Sequence, residues 1–158
     1  MIKLLLPLFI VVSLYSHENI YIFPDNHTRC IHEISDLIKK SSSVLIVSEH
    51  YHHPALSKAL ILSAKKGTQI KLILNDLQGE PLSLVQYRHI SLYKTSAALK
   101  QSYILIDNTL LYTAKTAIDE DHFSRHHLTM QCSDSPQKMK MQHHFLSPIL
   151  SSSHPYLE

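Results

Sequence analysis

The chain has 158 residues, 44% of them hydrophobic, and a formal net charge of +2 with histidine neutral. That length holds one globular domain with its own core and excludes a two-domain enzyme. Charged residues at 18%, with only 2 glycines and 7 prolines, exclude collagen-like, low-complexity and highly charged disordered chains. The 2 cysteines can neither staple a disulfide scaffold nor form paired zinc knuckles. The anomaly is the 13 histidines, because imidazole serves both as metal ligand and as general base or nucleophile.

Met1-Ile2-Lys3 leads into an apolar run from Leu4 to Leu14, broken only by Pro7 and Ser13 and followed by Tyr15-Ser16. This is the pattern of a secretory signal peptide with cleavage before His17, and it predicts export to a periplasmic or extracellular compartment. The run falls short of the roughly 20 residues of a comfortable membrane span. A retained anchor, giving membrane association through residues 1–16, and a buried first strand are the alternatives. Removing residues 1–16 takes away Lys3 and no acid, leaving a formal charge of +1 that cannot drive binding to nucleic acid or membranes by bulk attraction.

The remaining residues, 17–158, alternate strand-like and helix-like blocks, the signature of one α/β domain. Ile20–Phe23 reads as a strand stopped by Pro24. A helix follows from about Thr28, with Ile31, Ile34, Leu37 and Ile38 at helical spacing, Asn26 or Thr28 as cap, and Ser41-Ser42-Ser43 at its end. Val44–Val47 is a continuous apolar run, as expected of a strand covered on both faces. Pro54 opens a second helix with Leu56, Ala59, Leu60 and Ala64 on one face, and Gly67 marks its end. Ile70–Leu74 is the next strand, so two strand–helix–strand units run in succession and should cross right-handed. After a turn at Gln78–Pro81 come a short helix near Leu82–Tyr87 and strands at Ile90–Tyr93, Tyr103–Ile106, Leu110–Thr113 and Leu128–Cys132. Asp107-Asn108-Thr109 is a tight turn between two of them. Ser135 and Pro136 open a last helix with Met139, His143, Leu146 and Leu150 on one stripe.

This order, with Tyr103-Ile104-Leu105-Ile106-Asp107 followed by a second apolar strand, resembles the phospholipase D superfamily, and within it the short, secreted, single-motif branch that includes bacterial endonucleases. The similarity runs from about Ile20 to Leu150. It implies a single phospholipase D-like domain, a mixed β-sheet flanked by helices. In that family the motif H-x-K-x4-D supplies a histidine that attacks phosphorus to form a phosphohistidine, a lysine that clamps the phosphate oxygens, and an aspartate that helps fix the partners. With the aspartate on Asp107, Lys100 stands at the histidine position and Ser102 at the lysine position. The family's Gly-Ser pair falls at Ala114-Lys115, its following Asn near Ala117, and its later acidic residue at or beside His126. Nucleophile, clamp and supporting groups are therefore altered together.

An ammonium has no lone pair with which to attack, so Lys100 reads as a solvated or phosphate-contacting charge, and Asp107 as a turn residue. These departures from the family pattern imply an inactive centre left with a binding or scaffold role, in which a phosphate-bearing ligand, nucleic acid or phospholipid, would meet Lys100, Lys115 and His126. It also implies a weak homodimer in which Lys100 of each copy approaches a two-fold axis. There Asp107 or a bound phosphate would offset the repulsion of the two ammonium groups. The rival reading is an active phosphodiesterase with a relocated histidine.

Ser48-Glu49-His50-Tyr51-His52-His53 follows a strand at the edge where open α/β sheets place ligands, and His122, His126 and His127 come from a later connection. His50 and His52 should share one side of an extended segment, with Glu49 and His53 on the other. Such groups could hold zinc or a similar ion, yet no short spacing matches a metal signature. The expectation is scattered surface histidines, no metal at His50, His52 and His53, and no cofactor. Cys30 and Cys132 are either a disulfide or two buried thiols.

Overall fold

The computed structural model describes residues 17–157, so the predicted signal segment lies outside the described residues. Its main element is a mixed eight-stranded sheet. Strand β1 (Glu18–Phe23) forms one edge and pairs antiparallel with β9 (Leu128–Ser133), which pairs antiparallel with β7 (Leu110–Ala114). β7 and β6 (Ser102–Ile106) form a hairpin, and β6 runs antiparallel to β2 (Ser43–Ser48). From β2 outward the sheet is parallel through β4 (Gln69–Leu74) and β5 (Ile90–Lys94), and β10 (His154–Pro155) closes the far edge antiparallel. A separate parallel pair joins β3 (Tyr51–His52) to β8 (Ile118–Asp119).

Strand alternation divides the core into two layers. Val44 and Ile46 of β2, Ile104 and Ile106 of β6, and Tyr112 of β7 face helices α1 (His27–Lys40) and α2 (Pro54–Ala64). Val47, Tyr103, Leu105 and Leu111 face helix α5 (Pro136–Ser152) through Met139, Leu146 and Ile149. On the first layer Glu33 of α1 accepts hydrogen bonds from the hydroxyls of Tyr21 (2.7 Å) and Tyr112 (3.1 Å), tying the helix to β1 and β7.

The parallel half follows the sequence closely. Gly67 adopts φ 101° after Lys65-Lys66, a left-handed backbone that favours glycine, and so releases the chain from α2 into β4. The other half corrects several expectations. In the first strand–helix–strand unit β9, β7 and β6 lie between β1 and β2. Ile20 and Ile22 are exposed while Tyr21 and Phe23 are buried, the pattern of an edge strand with one covered face. Asn26 sits at the N-cap of α1, but its Oδ1 accepts from the Ile22 amide (3.1 Å) instead of capping the helix. The short helix α3 (Glu80–Leu84) starts ahead of Leu82, because Gly79 and Pro81 form its first turn. On α5 the buried stripe is Met139, Leu146 and Ile149, and His143 and Leu150 face outward. Residues Glu120–Arg125, read as connection, form helix α4.

Cys30 and Cys132 are both buried free thiols, pushed up to about 12 and about 11 chiefly by burial. His53 also belongs to the core. Its side chain is fully buried, neither ring nitrogen has a hydrogen-bond partner, and the ring packs 5.8 Å from His27 and 5.7 Å from Phe123. Burial first, and the neighbouring His27 second, push its imidazole down to about 4. Burial likewise lowers His27, against the pull of Glu120.

Both imidazoles take a proton more readily in the unfolded chain, so their contribution to stability is complete above about pH 6.5 and is lost as pH falls through the folded-state value. For His53 alone the window from about 6.5 to about 4 amounts to roughly 3 kcal/mol. Urea unfolding at pH 7, 6, 5 and 4 should show this decline, and His53→Leu should remove most of it. An identical pH profile in the variant would mean that His53 is not held neutral.

Candidate functional site

The register of the central strands fixes which candidate residues share an edge. Val47 pairs with Tyr103, so Ser48 at the end of β2 meets Ser102 at the start of β6, and Ser102 pairs with Ala114 at the end of β7. Lys100, Ser102 and Lys115 therefore lie at one edge of the sheet, beyond the carboxyl ends of the parallel strands. Lys100 and Lys115 are exposed, and neither makes an ion pair within 4 Å among the described residues.

Asp107 lies at the opposite edge. It and Asn108 have φ 51° and 55° and are the central residues of the turn closed by the Thr109 amide on the Ile106 carbonyl (3.1 Å), in the three-residue connection between β6 and β7. The Asp107 Oδ1 accepts from the amides of Ser42 (2.8 Å) and Ser43 (2.9 Å), fastening the hairpin to the start of β2. It lies five positions along the chain from Ser102, about 16 Å at 3.3 Å per residue. Asp107 is thus a structural turn residue within its own chain and cannot touch a ligand beside Lys100.

Ser102 is buried and its hydroxyl lies 2.9 Å from the Ser48 hydroxyl. Ser48 Oγ also donates to the His50 carbonyl (2.6 Å) and accepts from the Ile118 amide (3.0 Å). A hydroxyl has one proton and two acceptor positions, so with its proton committed to His50, Ser48 accepts from Ser102. Position 102 is closed into a buried hydroxyl network.

That network places two further segments. The Ile118 bond anchors β8 and the His50 bond anchors the start of β3, and the pairing of β3 with β8 brings His50 and Asp119 together. His50 Nε2 is 3.6 Å from Asp119 Oδ2, and His122 Nδ1 is 3.2 Å from Asp119 Oδ1. Asp119 caps α4 by accepting from the His122 amide (3.0 Å). Burial by itself would raise its carboxyl, but the His122 amide and imidazole, with His50, outweigh this and hold it below the usual range. His126, exposed at the end of α4, lies with its ring 5.3 Å from that of His122.

The other candidates diverge. His52 turns to Glu80 (3.4 Å), His53 enters the core, and His127 is exposed. The exposed Glu49 contributes its carbonyl to the amides of Asn75 (3.1 Å) and Asp76 (2.8 Å). His50 and His52 do not share a side, because the regular strand begins only at Tyr51. The carboxylate in the cluster is Asp119, which the sequence reading overlooked. Its signal was the spacing Asp119-x-x-His122, a helix cap followed by an imidazole one turn on.

No protein-family model and no curated protein matches the chain. Solved structures do. NucT from Helicobacter pylori superposes with a TM-score of 0.80 at 14% identity over 90% of this chain and 100% of its own. Nuc from Salmonella typhimurium, a phospholipase D family member, gives 0.75 at 14% identity over 91% and 100%. TrmBL2, an archaeal chromatin protein, gives 0.62 at 10% identity over 87% of this chain and 53% of its own. The fold is phospholipase D-like.

Ser48→Ala should strand the Ile118 amide, the Ser102 hydroxyl and the His50 carbonyl. At about 1–3 kcal/mol for each buried group left unpaired, the loss should exceed about 2 kcal/mol. Ser102→Ala leaves only one empty acceptor position on Ser48 and should cost under about 1 kcal/mol. Urea unfolding of the two variants checks the ranking, and equal losses would contradict the assigned proton positions.

Proposed function

We propose that this chain is an exported phospholipase D-like domain that binds a phosphate-bearing ligand, nucleic acid or a phospholipid headgroup, without the covalent phosphodiesterase chemistry such folds support. The observation that carries this reading is the buried Ser48–Ser102 hydroxyl pair where the clamping lysine would project. With Lys100 in the nucleophile position as well, the edge keeps cations but lacks the pair of groups that forms and stabilises a phosphohistidine. Lys100, Lys115 and His126 are exposed there and suit phosphate oxygens. TrmBL2, described as binding DNA in a novel mode, supports the nucleic-acid branch of the proposal.

Export and membrane association rest on residues 1–16. Among the described residues no helix is long and apolar enough to cross a membrane. A weak homodimer about this edge fits the reading. Two Lys100 ammonium groups near a two-fold axis would repel by about 1–4 kcal/mol, depending on separation and effective dielectric. Asp107, at the far edge of its own chain, cannot relieve this, so the phosphate ligand must.

A second reading is favoured by one observation. His50 lies beside Asp119 at this same edge, an imidazole with an orienting carboxylate. It would make the chain an active phosphodiesterase with a relocated histidine.

The two separate on supercoiled plasmid DNA, phosphatidyl lipid vesicles and an activated aryl phosphodiester. No turnover above the blank is expected. A short oligonucleotide should bind in a salt-sensitive manner, Lys100→Ala and Lys115→Ala should each weaken it several-fold, and light scattering should show dimer increasing with oligonucleotide. Turnover abolished by His50→Ala would replace this reading with the second. Oligonucleotide and lipid binding unaffected by either lysine would overturn the binding site.

A further inference from the structure

We propose that His50, Asp119 and His122 form a site for a divalent metal ion of the zinc class, with one coordination position left open to water or an oxygen ligand. One ligand atom from each residue lies within 4.8 Å of the others. The three come from two segments 69 residues apart, between positions 50 and 119, which is why no short sequence spacing betrays them. The site is built from the Ser48 network, the β3–β8 pairing and the cap of α4, all described above.

The ligand atoms are close enough to share an ion, with Asp119 Oδ1 beside His122 and Oδ2 beside His50. Neighbouring ligands on a tetrahedral zinc, each about 2.0–2.1 Å from the metal, lie about 3.3 Å apart. The carboxylate is 3.2 Å from His122 Nδ1 and 3.6 Å from His50 Nε2. The second separation is too long for a hydrogen bond. His122 Nδ1 is shut off from solvent and makes no aligned hydrogen bond, with the Asp119 carboxylate 3.2 Å away as the polar group it faces. A buried polar atom in that state is unfavourable, and an ion between the three groups would relieve it.

Donor chemistry selects the ion. Two imidazoles and one carboxylate suit zinc, and the all-oxygen shells that calcium and magnesium require are absent from this set. Three protein ligands with an open fourth position are also the arrangement of zinc sites that admit an exogenous ligand. His50 and His122 remain 38% and 45% exposed, which leaves a path for entry and room for that fourth ligand. This site departs from the expectation of no metal at His50, His52 and His53, because His50 is one of its ligands while His52 and His53 are not. Ion binding also does not depend on the phosphate reading, since the three ligands suffice without a phosphate.

The test is a titration of the purified chain, stripped with chelator and dialysed, using the metal alone. Cobalt(II) should bind at one equivalent with the visible d–d absorption of a four- or five-coordinate ion, and zinc should displace it and raise the thermal midpoint. His122→Ala and Asp119→Asn should each lower the affinity by at least about 10-fold. Asn can still cap α4, so an unchanged far-ultraviolet circular dichroism spectrum separates ligand loss from unfolding. His52→Ala, next to the site but paired with Glu80, should bind as the parent does. Octahedral cobalt spectra without stoichiometric uptake, or equal binding by parent, His122→Ala and Asp119→Asn, would overturn the site.

Discussion

The saturated hydroxyl of Ser48 is the constraint on which the functional edge depends. Its single proton goes to the His50 carbonyl, and its two acceptor positions take the Ile118 amide and the Ser102 hydroxyl. Every group in this set is expensive to leave unpaired in a dry interior, so the network has one arrangement. That arrangement joins the central strand to β6, to the small β3–β8 pair and, through the residue after Ile118, to α4. A longer cationic side chain at position 102 would have to displace this hydroxyl network.

The Ser48–Ser102 contact and the cluster of His50, Asp119 and His122 therefore depend on one network. Ser48 holds both Ser102 and the Ile118 amide, β8 pairs with β3, and the pairing brings Asp119 to His50. The cap of α4 then places His122 on the same carboxylate. The exposed cations Lys100 and Lys115 flank the β6–β7 hairpin, one just before β6 and one just after β7, and the hairpin's turn is fastened by Asp107 at the opposite edge of the sheet. Asp107 thus sustains the geometry of the edge from a distance without contributing to its chemistry.

Much of the fold was legible because it rests on local rules with strong signals. Continuous apolar runs at Val44–Val47 and Ile70–Leu74 announced buried parallel strands, Gly67 a helix end, and Asp107-Asn108 a tight hairpin. What escaped was set by partners distant in sequence. β3, β8 and β10 are two residues each and exist only because another short segment lies alongside. The edge position of β1 depends on β9 arriving from the far end of the chain. On α5 the stripe was misplaced because Ile149 faces the sheet while Leu150 faces outward, and neither residue type distinguishes itself. The histidines were the hardest to assign. Within Ser48–His53 one imidazole faces Asp119, one faces the partly buried Glu80 and one enters the apolar core, and composition cannot separate these surroundings.

The central claim is that this edge has kept a phosphate-facing surface while losing covalent catalysis at phosphorus. The most direct measurement is intact-protein mass spectrometry of the purified chain after incubation with an activated aryl phosphodiester and an alkaline quench that preserves phosphohistidine. The account predicts an unmodified mass at all times. A phosphoryl adduct located on His50 or His122, and absent from the matching His→Ala variant, would contradict it.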